Sequence, residues 1–141
     1  MKHYSLRGYA SDARFMAACE SVLGARPPVE PNTVNGEILW LGPDEWLVVT
    51  EKGLTGTPLV LVEVTASRQA IDITGPQAEE TLSKAATLDF HVKSFPVGAC
   101  AQTNIARTQG IIHRLGVQHF RIYVRTSFAR YLRAWLDDAA R

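Results

Sequence analysis

The chain is predicted to have an α+β fold, with antiparallel sheets and helices packed on them. Apolar runs of strand length occur in groups, turn motifs separate these runs, and three other segments have helical periodicity. They follow one another as helix, hairpin, hairpin, helix, three strands and helix. Two tandem groups of helix and antiparallel strands predict a duplicated α+β arrangement with one core and no linker, a single domain over residues 1–141.

The first predicted helix covers residues 11–23. Ser11 is expected to cap it and Gly24 to end it. The proline-rich stretch 26–32 is predicted to be an extended connector, because proline cannot continue a helix or a central strand. The apolar face of the helix is expected to contain Phe15, Cys19, Val22 and Leu23.

Two hairpins are predicted next. The first joins residues 38–41 to 46–50 through a Gly-Pro-Asp-Glu turn, and both of its strands are apolar enough to be buried on two faces. The second is predicted to pair residues 59–64 with residues 69–73.

The second helix is predicted to open at Gly75-Pro76, with Pro76 at the first helical position, where its missing N–H costs nothing. Small residues should form its inner stripe: Ala78, Leu82 and Ala85. An irregular stretch follows, and the three final strands are expected at 100–106, 111–115 and 118–124, the last two joined by a tight turn at Gly116-Val117.

Alternation in the last strand and periodicity in the last helix are the clearest patterns. One face of the strand should contain Phe120, Ile122 and Val124, and the other Arg121, Tyr123 and Arg125. Thr126 or Ser127 is expected to cap the helix. Apolar residues recur along the helix with a spacing that predicts its buried face: Phe128, Tyr131, Leu132, Trp135, Leu136 and Ala139.

The composition is that of a globular protein, since 46% of the 141 residues are hydrophobic and 21% are charged. No apolar stretch is long enough to span a bilayer, and the N-terminus lacks the apolar segment of a signal peptide. Cys19 and Cys100 match no disulfide framework. These features predict a cytoplasmic protein without a membrane association.

The basic residues near the C-terminus are all arginine. Residues 102–141 contain seven arginines, no lysine and two aspartates, whereas residues 1–101 have an acidic excess. Arginine pairs with carboxylates in a bidentate manner and is enriched at protein interfaces. A nucleic-acid surface is the less favoured interpretation, because no aromatic stacking platform accompanies the arginines. A solvated surface is the third.

Motifs of known chemistry are missing. The sequence contains no glycine-rich dinucleotide or phosphate loop, no Gly-x-Ser-x-Gly and no grouped metal ligands. Cys100 with His113 or His91 could be a nucleophile and its base, but a buried strand cysteine is the favoured interpretation. Asp72 and Glu63 alternate with apolar residues, which predicts solvent-facing positions and no catalytic pair. We therefore expect no catalytic, cofactor-binding or metal-binding residues in this chain.

A set of candidate partner contacts follows from the arginines and the tryptophans. Aromatic and arginine side chains are the usual anchors of protein interfaces. The candidates are the first hairpin and the basic face of the last strand and helix: Trp40, Trp46, Arg121, Tyr123, Arg125, Arg130 and Arg133.

Several segments from about residue 36 to the C-terminus resemble, in the same order, the gamma subunit family of heterotetrameric sarcosine oxidase. These segments are residues 39–48 (LWLGPDEWLV), 71–82 (IDITGPQAEETL), 88–90 (LDF), 95–103 (FPVGACAQT) and 120–132 (FRIYVRTSFARYL). The resemblance implies a fold similar to the folate-binding domain of the glycine cleavage T-protein, with two ferredoxin-like halves.

The resemblance also implies a function and partners. The alpha and beta subunits of such complexes carry FAD, FMN, NAD and tetrahydrofolate, and a delta subunit carries zinc. The gamma subunit has no assigned catalytic residue, so this chain would be a structural subunit of a complex that oxidatively demethylates sarcosine or a similar amine. The alternatives are a separate folate-binding module related to the T-protein and an enzyme that uses Cys100.

Overall fold

The structure, a computed structural model, describes residues 1–141 and has an α+β fold of two antiparallel sheets and three helices, as predicted. The helices are α1 (Ala13–Leu23), α2 (Ala78–Ala85) and α3 (Thr126–Ala139). The strands are β1 (Lys2–Arg7), β2 (Val34–Asn35), β3 (Ile38–Gly42), β4 (Glu45–Thr50), β5 (Val60–Glu63), β6 (Arg68–Thr74), β7 (Cys100–Ile105), β8 (Thr108–Gly116) and β9 (His119–Arg125).

The chain divides into two compact units, Met1–Thr65 and Ala66–Arg141. Each unit has its own sheet and its own cluster of buried apolar side chains. The expectation of one common core was therefore wrong: local pairing gives each half a sheet that covers its own helices. That the two units behave as one domain stays a prediction.

In the first unit, the sheet has the strand order β2-β3-β4-β1-β5. The hairpin of β3 and β4 forms as predicted, with Trp40 opposite Trp46 and a turn in which Asp44 has a φ of 63°. An aspartate tolerates this left-handed conformation better than most residues do. Its carboxylate also accepts a hydrogen bond from the Ala10 N–H at 2.7 Å, which ties the turn to the chain before α1.

The core of the first unit lies between α1 and the sheet. Its buried members are Tyr4, Leu6, Cys19, Leu23, Ile38, Trp46 and Val48. The Trp46 indole packs 5.7 Å from the Phe15 ring and donates its N–H to the Pro28 carbonyl at 2.8 Å. That bond holds the proline-rich connector, which has no regular structure of its own between residues 26 and 30.

In the second unit, the sheet has the strand order β6-β9-β8-β7, and β7, β8 and β9 form at the predicted positions. One face of the sheet packs against α2 and α3. The shared core contains Ile71, Leu82, Phe90, Phe95, Ile105, Ile112, Phe120, Ile122, Val124, Leu132 and Leu136.

A buried arginine supports the irregular segment between α2 and β7. Arg114 is 1% exposed, and its guanidinium donates to the carbonyls of Phe90 at 2.7 Å and Phe95 at 2.8 Å. It also donates to the Val117 carbonyl at 2.7 Å and lies 4.7 Å from the centre of the Phe120 ring. A buried cation is stable only when its donors are satisfied, and these carbonyls satisfy them.

The two units repeat one topology. In each, a strand and a helix are followed by three strands, and the first strand pairs with the fourth, the fourth with the third, and the third with the second. The first unit adds β5 beside β1, and the second adds α3 at its end. The duplication that the element order predicted is thus visible in the strand order.

One predicted pairing was wrong. The segment predicted at 59–64 forms β5, but it pairs with β1, whereas β6 pairs with β9. The strand β1 had not been predicted, because its six residues include Lys2, Ser5 and Arg7 among the buried ones. Because β1 is missing from the prediction, β5 is paired there with β6, the next strand along the chain.

The helix caps also differ from those predicted. Asp12, and not Ser11, caps α1 by accepting from the backbone N–H groups of Arg14 and Phe15. Pro76 precedes α2 without being its first residue, because Gly75, with a φ of 109°, starts a separate turn. At α3 the capping residue is Arg125 and no side chain caps the helix, since the Thr126 hydroxyl donates to the Ala66 carbonyl instead.

Candidate functional site

A charged cluster lies on the second sheet at the edge formed by β6. Asp72 is opposite Arg121 in the β6–β9 pairing, and Arg121 donates from Nε to Oδ1 at 2.7 Å and from Nη2 to Oδ2 at 3.0 Å. The His119 Nε2 lies 3.0 Å from the same Oδ2. The carboxylate is therefore held by a bidentate arginine and a histidine.

The pairing of Asp72 with Arg121 and His119 favours the charged form of its carboxylate. The hydrogen bond from Arg121, followed by that from His119, holds the pKa of Asp72 below its usual value, and the same carboxylate raises the pKa of Arg121. A general base must be able to take up a proton near neutral pH. Asp72 is instead a paired anion, and that it takes no part in a catalytic pair stays a prediction. It is solvent-facing, as is Glu63.

Cys100 and His113 are direct neighbours in the sheet. They are Cα partners of β7 and β8, and His113 is in turn opposite Arg121 of β9. Burial, aided by the positive charges of Arg121 and His119, lowers the pKa of His113 to about 4, and its Nδ1 has no hydrogen-bond partner. The Cys100 side chain is only 1% exposed.

A nucleophilic cysteine needs an accessible thiolate and a base that can hold its proton. The structure brings the predicted pair together but buries the thiol, and it favours a neutral imidazole. His91, the other proposed base, is exposed on the irregular segment of the second unit. This arrangement favours the interpretation of Cys100 as a packed apolar side chain.

Two of the predicted partner contacts are corrected by their burial. Trp46 and Tyr123 are each 1% exposed, so neither side chain offers a surface to another protein. Trp46 belongs to the core of the first unit, and burial raises the pKa of the Tyr123 hydroxyl. Strand alternation predicts which face a residue lies on but not whether that face is covered. Trp40 is half-buried against the same core.

The remaining predicted contacts lie on or near α3. Arg125, Arg130 and Arg133 are exposed, while Arg121 is half-buried and paired with Asp72. Arg133 donates to the Ala70 carbonyl at 3.3 Å, so it bridges the helix and the edge of the sheet.

Two aromatic residues on α3 are more exposed than predicted. Phe128 and Tyr131 are 41% and 38% exposed, because Ala129, Leu132 and Leu136 form the buried stripe of the helix. The sequence did contain a signal: the apolar residues of α3 cover a wider arc than one core-facing stripe needs. We define the α3 outer surface as Phe128, Arg130, Tyr131 and Arg133.

A groove of about 530 Å³ runs between the edge of β6, the start of α2 and the end of α3. Ile71, Ile73 and Leu136 supply apolar parts of its lining, and Asp72, Arg133 and Asp137 supply charged ones. A cavity of this size and mixed lining could accept a small ligand.

No three His, Cys, Asp or Glu side chains come close enough together to hold a metal ion. None of the three helices is long and apolar enough to cross a bilayer. Both cysteines are thiols, and burial raises the pKa of Cys19 to about 11.

Comparison with known proteins gives a consistent result. Residues 7–141 match the family described as sarcosine oxidase, gamma subunit family. Sarcosine oxidase subunit gamma of an Arthrobacter species is 30% identical over 138 residues, which is 87% of this chain and 68% of that protein. The subunit gamma of Corynebacterium sp. strain P-1 is 30% identical over an alignment of 149 residues, covering 95% of this chain and 73% of that protein.

A solved structure agrees with these sequence matches. The heterotetrameric sarcosine oxidase from Corynebacterium sp. U-96, in complex with pyrrole 2-carboxylate, contains a chain that superimposes with a TM-score of 0.89 at 28% identity. The superposition covers 99% of this chain and 78% of that one.

Proposed function

This chain belongs to the sarcosine oxidase gamma subunit family, and we propose that it is a non-catalytic structural subunit of a heterotetrameric amine oxidase complex. The observation that supports the proposal most directly is the superposition on a chain of heterotetrameric sarcosine oxidase over 99% of its length. The reaction would be the oxidative demethylation of sarcosine or a related N-methyl amino acid.

The chemistry of two polar side chains, one exposed and one buried, supports a non-catalytic role. Asp72 is neutralised by Arg121 and His119, and the thiol of Cys100 is buried beside a histidine that favours its neutral form. In this proposal, FAD, FMN, NAD and tetrahydrofolate are held by the alpha and beta subunits, and zinc by the delta subunit. The complex would be cytoplasmic, which fits two cysteines that remain thiols.

The α3 outer surface is our candidate for the principal contact with a partner subunit. Phe128 and Tyr131 are exposed on the same helix as the exposed Arg130 and Arg133, and aromatic and arginine side chains are enriched at the centres of interfaces. Trp40 and Arg125 would lie at or near the contact with a partner subunit. Arg121 would contribute only indirectly, by positioning strand β9, on which it lies.

Affinity purification of the tagged full chain from its native host tests the subunit role. We expect two larger flavin-bearing subunits and a small zinc-bearing one to copurify, detected by flavin absorbance and mass spectrometry. A colourless chain that purifies alone under conditions that preserve complexes would contradict the proposal.

The α3 outer surface can be tested in the same experiment. Replacing Tyr131→Ala together with Arg130→Glu should reduce the recovered partners at least tenfold, because an aromatic and an arginine anchor are removed together. Arg14→Glu, on the exposed part of α1, is the matched control and should leave recovery unchanged. Equal recovery for both variants would exclude this surface as the main contact.

One observation favours a second function, a folate-binding module. The groove beside β6 combines apolar side chains with the carboxylate of Asp137, as a pterin-binding pocket requires. Titration of the full chain with tetrahydrofolate, followed by tryptophan fluorescence, should show saturable binding if this function applies. No binding up to high micromolar ligand would remove it.

A further inference from the structure

The strand β6 lies at an edge of the second sheet and pairs only with β9. In a strand, the N–H and C=O groups of successive residues point to alternate sides. The Gly75 N–H donates at 2.9 Å to the carbonyl of the residue that precedes β9. The backbone groups of Thr74 and Asp72 therefore point away from β9. The Ala70 carbonyl follows the same alternation, since it accepts from Arg133, on α3.

This open edge of β6 is short, and both of its ends are defined. Arg133 donates to the Ala70 carbonyl at 3.3 Å and covers one end. Pro76 has no N–H and ends the edge on the other side. Between these ends, Asp72 and Thr74 are exposed, and each offers one N–H and one C=O. An open strand edge pairs readily with another extended chain, so a polypeptide segment is the ligand that matches it.

The groove of about 530 Å³ lies beside this edge, and the last part of α3 forms its opposite wall. Ile71, Ile73 and Leu136 line it, and all three belong to the core of the second unit or pack against it. Since side chains alternate along a strand, a strand added beside β6 would place every second side chain over these residues. In strand addition, the backbone bonds provide affinity and side-chain pockets provide specificity. The groove offers both.

Two opposite charges on α3 line the same groove. Arg133 and Asp137 are exposed and lie one helical turn apart, which is about 6 Å along a helix. Successive side chains on one face of a strand lie about 7 Å apart. Because the two spacings are similar, alternate residues of an added strand can meet both charges. Arg133 donates to Ala70 from Nη2, and its remaining donors can bind a carboxylate.

The course of α3 determines the order of these charges along β6. Near the start of α3, the Thr126 hydroxyl donates to the Ala66 carbonyl, and further along the helix Arg133 donates to Ala70. The helix therefore advances in the same direction as β6, and Asp137 lies nearer the end of the strand. Neighbouring strands in this sheet are all antiparallel. An added antiparallel segment would pass Asp137 first and Arg133 second.

We propose that the groove between β6 and α3 binds an extended segment of a partner protein as an added antiparallel strand. The segment carries a basic residue that pairs with Asp137 and, two positions later, an acidic residue that pairs with Arg133. Backbone bonds to Asp72 and Thr74 hold the segment in register. The groove adjoins the α3 outer surface at Arg133, but the binding does not depend on the subunit role, because this chain alone forms the site.

Titration of the full chain with a capped octapeptide tests the proposal. The peptide consists of valine and threonine, except for one lysine and, two positions later, one glutamate. Binding should be saturable and should shift the backbone amide NMR signals of Asp72 and Thr74. One control peptide has the lysine and the glutamate exchanged, and another has N-methyl groups on the amides that would face β6. Each should bind at least roughly tenfold more weakly, because the first loses the charge pairs and the second loses the backbone bonds.

An exchange of charges on α3 tests the predicted polarity. Arg133→Asp combined with Asp137→Arg should reverse the preference, so that the exchanged peptide binds at least roughly tenfold more tightly than the original one. Arg130→Asp combined with Asp138→Arg is the matched control. It keeps the same net charge on the same helix but lies outside the groove lining, so it should keep the parent's preference. Circular dichroism checks that both variants are folded.

Several results would overturn the proposal. One is the absence of any shift in the Asp72 and Thr74 signals up to about 1 mM of the original peptide. Another is equal binding of the original peptide and either control peptide by the parent chain. A third is an unchanged preference in the variant with exchanged charges. Binding of tetrahydrofolate without binding of the peptide would assign the groove to the folate function instead.

Discussion

In both units of this protein, a side chain holds an irregular connector in place, but the two side chains differ in their chemistry. Each has an irregular connector between its helix and its second strand, and in each a side chain from a later strand donates to the connector's carbonyl groups. In the first unit, the neutral Trp46 indole makes one such bond, to Pro28. In the second unit, the Arg114 guanidinium bonds to both Phe90 and Phe95.

The difference between the two connectors shows how the composition of a connector determines which side-chain donors it needs. The first connector contains Pro27, Pro28 and Pro31, which restrict its backbone and leave fewer N–H groups to satisfy. The second, residues 86–99, contains a single proline and turns its carbonyls inward, so it needs several donors at one point. A buried arginine supplies them. Its guanidinium lies over the Phe120 ring, which packs against the rings of Phe90 and Phe95.

The largest effect is expected from Arg114→Met. The variant keeps most of the side-chain volume but leaves the carbonyls of Phe90, Phe95 and Val117 without their donor, so the free energy of unfolding should fall by about 4 kcal/mol. Urea denaturation measures this. The control, Arg130→Met on the exposed side of α3, should change stability by less than about 0.5 kcal/mol. A loss of under about 1 kcal/mol for Arg114→Met would mean that the arginine does not support the connector.

A pH dependence is expected from His113, another buried polar group of the second unit. Its folded pKa of about 4 lies below the ordinary value of 6.5, so the unfolded chain takes up the proton first as the pH falls. Above pH 6.5, the protonation of His113 has no effect on the free energy of unfolding. As the pH drops from 6.5 towards 4, this free energy should fall by at most about 3 kcal/mol.

His113→Gln should remove this part of the acid sensitivity, because the amide does not titrate. Urea midpoints between pH 7 and pH 4 measure the slope for the parent and the variant. His91→Gln, at an exposed position, is the control and should keep the parent's slope. An unchanged slope in His113→Gln would show that the acid sensitivity arises elsewhere.

A smaller effect is expected from Trp46→Phe in the first unit. Phenylalanine retains an aromatic ring near Phe15 but loses the indole N–H to Pro28 and some volume, so we expect a loss of about 2 kcal/mol. Trp40→Phe, at the half-buried position opposite it, should cost less. If Trp46→Phe were as costly as Arg114→Met, the contrast between the two connectors would not hold.

Much of the fold could be predicted from local patterns. The hairpin of β3 and β4 has apolar strands on both sides of a Gly-Pro-Asp turn, and α1 ends at Gly24, which has a φ of 81°. These features depend on residues close in sequence, so periodicity and turn chemistry suffice. The strand β1 could not be found in this way, because its alternation is weak and its partners, β4 and β5, are distant.

The candidate sites were less predictable, because they depend on which faces are covered. Arg125, Arg130 and Arg133 are exposed, and their contact with a partner subunit stays a prediction. Tyr123 has the same strand alternation as Arg121 and Arg125, yet it is buried. Likewise, nothing in the sequence shows that Arg133 lies beside Ala70, since the two residues are far apart along the chain.

The sequence by itself determined the α+β class, the tandem arrangement, most of the strands and the family. These follow from hydrophobic periodicity, turn residues and ordered motifs, all of which are local or collinear. Only the tertiary structure decided that β5 pairs with β1, that Trp46 and Tyr123 are buried, and that Arg114 supports a connector. Strand pairing and burial result from contacts between residues distant in sequence, and a pattern along the chain cannot specify which distant surfaces meet.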